Sequence, residues 1–172
     1  VFSSGNGICR VDDGWFDNAL EAEVLGMPVK IAPIEEFMWQ KAFVMERERF
    51  DGADVAHVLH AMCENLNWQR LLRYVDEHWR VLLSHLILFG YIYPAERARI
   101  PAWLMRDLIG RLQGELTSNA ESGKLCQGTF LSRAQYLIDI EQRGYRDARI
   151  RPIGNMTRAE ISQWTAAIED EA

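Results

Sequence analysis

The sequence predicts an α+β fold that is mainly an α-helical bundle, with a short β-hairpin near its N-terminus. Three observations lead there. From Pro33 onward apolar residues recur at helical spacing, whereas residues 23–32 alternate around a glycine in the manner of paired strands. The 172 residues, 48% hydrophobic and 26% charged, suit an ordinary globular domain and exclude disordered, collagen-like and coiled-coil classes.

Nineteen Lys plus Arg against 25 Asp plus Glu give a formal charge of −6, which offers no overall electrostatic reason to bind nucleic acid or anionic lipid. Cys9, Cys63 and Cys126 are odd in number and widely spaced, so neither a disulfide framework nor a CxxC metal knuckle is expected, and a reducing, cytoplasmic setting is the default. The longest apolar stretch, Val81 to Tyr93, is broken by Ser84 and His85 and is shorter than the roughly 20 residues of a membrane span. No membrane partner is expected. The chain opens on Val1 without a basic region followed by an apolar one, so no signal peptide is read, and a missing upstream segment is allowed.

Along the chain three parts are expected: 1–32, the end of a sheet with a short helix and a hairpin; 33–116, a helical domain; and 117–172, a polar loop with C-terminal helices packed on it. Val1-Phe2 reads as a strand end because the turn-rich Ser3-Ser4-Gly5-Asn6-Gly7 follows at once. Asp12 or Asp13 is expected to cap a short helix reaching about Glu21. Glu23-Val24-Leu25 and Pro28 to Ala32 read as two strands around Gly26-Met27, and such a ribbon needs a larger sheet to be stable. The helices are expected at 33–50, 53–64, 67–77, 79–92 and 101–115. Trp68, Leu71, Leu72 and Val75 form one apolar face, and Val81 to Tyr93, apolar nearly all round, belongs at the centre of the bundle. Ser132-Arg133-Ala134-Gln135 and Thr157-Arg158-Ala159-Glu160 fit the capping-box pattern and are expected to open the last two helices.

Lys41 is the residue least explained by packing. At 100° per residue it falls in the middle of the stripe of Ile34, Phe37, Met38 and Met45. Either its stem packs while the ammonium snorkels or pairs with Glu48, or the stripe borders a cleft where Lys41 meets an anionic ligand. Glu46 to Asp54 then carries six charges at a helix junction, where Asp51 can cap the next helix and Asp54 suits its first turn. Asp54, His57, His60 and Cys63 recur every third residue, but each step drifts by 60°, so they cannot converge on one metal ion. His85 reads as a core histidine, and Ser3 to Gly7 lacks the Lys-Ser/Thr ending of a phosphate loop.

The order of strand end, Ser-Ser-Gly-Asn-Gly, short helix, hairpin, then Pro33-Ile34-Glu35-Glu36 leading to Lys41, Arg49, Asp51 and Asp54 resembles the second half of the nucleotidyltransferase superfamily, in its minimal and abortive-infection toxin-like branch. Trp79 to Pro94 and Gly128 to Arg133 look like the helical tail of bacterial members. The resemblance implies that the hairpin is the remnant of a mixed sheet. It also implies that the complete protein transfers a nucleoside monophosphate from a magnesium-bound nucleoside triphosphate to an acceptor left unspecified. Lys41 would then neutralise the triphosphate, and Arg49, Asp51 and Asp54 would orient substrate or brace the lysine. The Asp-x-Asp ligands for Mg²⁺ would lie upstream of Val1, so no metal ligand or catalytic residue is assigned within the chain, which by itself is expected to be inactive. The competing reading is a non-catalytic helical interaction module, an assembly or antitoxin-type partner, with a homo-oligomer also allowed.

Overall fold

A computed structural model describes residues 8, 11, 13–117 and 123–166. The expected strand end at Val1-Phe2 and the turn at Ser3 to Gly7 lie outside the described residues, as do Cys9 and Asp12. Within them the fold is α+β and mainly helical, with an antiparallel hairpin ahead of the helices. No helix among the described residues is long and apolar enough to cross a membrane.

The chain divides into two compact units, one made of Trp15–Ala42 and Asp51–Ser122, the other of Val1–Gly14, Phe43–Phe50 and Gly123–Ala172. This cuts across the expected 33–116 segment. The hairpin goes with the helices, and residues 43–50 go with the C-terminal part.

Helix α1 (Gly14–Asp17) stops short of Glu21 because strand β1 (Leu20–Val24), in the larger unit, begins earlier than expected. Strand β2 (Met27–Ile31) pairs with it, Val24 facing Met27, so Leu25-Gly26 is the two-residue turn. Both turn residues have positive φ, 53° and 77°, the primed geometry that matches strand twist. The register puts Leu20 opposite Ile31, Ala22 opposite Val29 and Val24 opposite Met27, so one ribbon face is wholly apolar. Its four outer side chains are exposed. On the other face Glu21 lies opposite Lys30 and Glu23 opposite Pro28.

Helix α2 (Ile34–Ala42) begins with the Pro33 carbonyl accepting from Phe37 N–H. It ends eight residues before the expected Phe50. His85 supplies a reason: its Nε2 lies 2.9 Å from the Ala42 carbonyl and donates to it, satisfying an orphan acceptor of the last turn. Met45 and Glu48 therefore leave the helical line on which they were placed. Helix α3 (Gly52–Met62) passes through a 3₁₀ turn at Cys63–Asn65, and α4 (Trp68–Val75) opens with Asn67 Oδ1 accepting from Arg70 N–H. Helix α5 (Trp79–Ile92) has the expected bounds, and α6 (Ala102–Thr117) follows. The core joins Met38, Val55, Leu59, Leu71, Val75, Leu82, Leu86, Phe89, Leu104 and Leu108. Helix α5 buries only one side. Its other side leaves Ile87, Leu88, Tyr91 and Ile92 exposed, so the run from Val81 to Tyr93 is not enclosed at the centre of the bundle as its composition led one to expect.

In the smaller unit, residues 43–50 are held by tertiary contacts. Met45 N–H donates to the Leu131 carbonyl, and the Glu46 carboxylate accepts from Ser132 Oγ at 2.5 Å and from Arg133 N–H and Nε. Ser132 accepts from Gln135 N–H but opens a turn, since α7 (Leu137–Glu141) begins later. The second capping box forms as read, Thr157 N–H to Glu160 and Glu160 N–H to Thr157 Oγ1, at the start of α8 (Arg158–Ala166). Strands β3 (Leu125–Cys126) and β4 (Arg146–Asp147) pair in parallel, and Arg149 is buried beside Asp147.

Candidate functional site

Lys41 sits in the last turn of α2, and Asp51 and Asp54 sit at the start of α3. Its ammonium donates to Asp51 Oδ2 at 2.9 Å and to Asp54 Oδ2 at 2.7 Å. The lysine is thus paired with neither Glu48 nor bulk water alone. Glu48 lies on the exposed segment with Arg47, 3.8 Å away. Nor does Asp51 cap α3 with its side chain. Its backbone carbonyl accepts from Val55 N–H while its carboxylate turns to the lysine.

Exposure ranks the two ion pairs. The side chain of Lys41 is 21% exposed, that of Asp51 9% and that of Asp54 48%. Asp51 is the shielded anchor, and Asp54 the water-facing arm. Hydrogen bonds from Asp54 and then Asp51 hold the Lys41 pKa above its ordinary value despite some desolvation, so the ammonium is charged at any physiological pH. The Phe37 ring, 5.6 Å from the ammonium, adds a weak cation–π contact. An ammonium has three donors, and the two aspartates engage two of them.

Arg49 is exposed and belongs to the 43–50 segment of the smaller unit, where its backbone carbonyl accepts from Glu46 N–H. The structure therefore gathers Lys41, Asp51 and Asp54 into one cluster and places Arg49 in the other unit. The two carboxylates do not fit a magnesium ion, because the lysine ammonium already occupies the point on which their Oδ2 atoms converge. Among the described residues no group of His, Cys, Asp or Glu side chains is arranged to hold a metal.

A second polar cluster escaped the sequence reading. Glu35 and Glu36, quoted from the sequence only for their place in the motif order, are both buried in the first turn of α2. Glu35 Oε1 accepts from Asn67 N–H at 2.6 Å. Glu36 pairs with the Arg70 guanidinium and accepts from Tyr74 Oη at 2.8 Å, while its Oε2 has no partner among the described residues. Trp39 stacks on Tyr74 with ring centroids 5.1 Å apart. Burial raises the Tyr74 pKa, so the phenol stays a donor to Glu36. This network fastens α2 to α4 and so fixes the helix that carries Lys41. The available signal was Arg70 and Tyr74, spaced i, i+4 beside the apolar face of α4.

No family model matches the chain, and no curated protein or solved structure matches it either.

Proposed function

We propose that this chain is the hairpin-and-helix portion of a nucleotidyltransferase-like protein in which Lys41 meets the phosphates of a nucleoside triphosphate, and that this portion does not carry out transfer alone. The observation that supports the reading is the posture of Lys41. Asp51, itself shielded, holds the ammonium at the end of a helix anchored by the Glu36–Arg70 pair, and among the described residues the two aspartates engage two of its three N–H donors.

The local charge limits how the contact works. One ammonium between two carboxylates leaves a net charge of about −1, which alone repels a polyphosphate. Asp54, half in water, is the carboxylate able to swing aside, while Asp51 keeps the lysine aimed. In this reading Asp51 and Asp54 brace the lysine, and Arg49, whose role comes from motif order alone, orients substrate. Magnesium would be held by carboxylates other than these two. The open apolar face of the hairpin agrees with a sheet that is wider in the complete protein.

That same open face favours a second reading, a non-catalytic interaction module whose partner covers the ribbon. Calorimetric titration with ATP, GTP, CTP and UTP in the presence of Mg²⁺ separates the two. The first reading expects binding that weakens at least tenfold in Lys41→Met with the helical circular dichroism retained. Absence of binding to any of the four at millimolar concentration retires it and leaves the second.

A further inference from the structure

We draw no further inference here: the strongest candidate, the exposed apolar face of the β1–β2 hairpin formed by Leu20, Val24, Met27 and Ile31, carries none because nothing in the structure shows what covers it.

Discussion

Replacing Lys41 by methionine keeps most of the stem and removes the charge, which isolates what the ammonium contributes between α2 and α3. The pair with Asp51 has side chains 21% and 9% exposed, so most of the cost falls there. Removing one cationic partner from a shielded carboxylate costs about 3–5 kcal/mol when burial is complete, and a surface pair is worth under about 1 kcal/mol. The intermediate position of Asp51 argues for about 2 kcal/mol, with a few tenths from Asp54, which is 48% exposed. For a domain of this size that is a fall in Tm of about 4–8 °C. Urea unfolding at pH 7 followed by circular dichroism reads it directly. A cycle with Asp51→Asn and Asp54→Asn should then give the larger coupling to Asp51. Distance alone ranks the pairs the other way, because Asp54 lies closer, at 2.7 Å against 2.9 Å. A loss below about 0.5 kcal/mol, or a larger coupling to Asp54, would refute the argument that shielding decides.

Four further outcomes are expected. Asp54→Asn should tighten triphosphate binding about fivefold to tenfold in calorimetry, because one negative charge near the phosphates is removed; weaker binding would mean that Asp54 contacts substrate. Burial holds the His85 pKa below 6.5, so the folded protein binds fewer protons there than the unfolded chain, and stability should fall as pH drops through 6.5. His78 is depressed by burial in the same direction, so His85→Gln should reduce the pH 5–7 slope in stability without abolishing it, and an unchanged slope would exclude His85 as a source. Leu25→Asn should stabilise the hairpin by about 0.5–1 kcal/mol in hydrogen exchange, since Leu25 adopts φ 53° with its side chain in water. Thr157→Ala should raise exchange of the first-turn amides of α8 by roughly tenfold, about 1 kcal/mol, as both halves of a capping box are present.

Much of the helical frame was legible because local signals agreed with tertiary packing. Helix α4 starts within a residue of its expected beginning, Trp68, Leu71 and Val75 bury the face that their spacing defines, and Trp79–Ile92 has the expected bounds. The failures have a common cause in distant contacts. Nothing in residues 43–50 forbids a helix, but Glu46 finds Ser132 and Arg133 more than 80 residues away, and His85 closes α2 at Ala42. The anomaly of Lys41 was visible in its apolar stripe, and its neighbours Asp51 and Asp54 in their spacing. What spacing did not reveal is that both aspartates turn back to the lysine rather than to their own helix. Burial of Glu36 was invisible for a similar reason, since its counter-charge Arg70 lies on another helix.

The central claim is that the Lys41 ammonium, held by Asp51, is the group that meets phosphate. Heteronuclear NMR of the lysine side-chain Nζ resonances during titration with Mg²⁺–ATP tests it at the atom concerned. The account predicts that the Lys41 signal, identified by its loss in Lys41→Met, shifts in a saturable manner while Lys30 and Lys124 stay in place. A saturating shift elsewhere in the spectrum with Lys41 Nζ unmoved would contradict it.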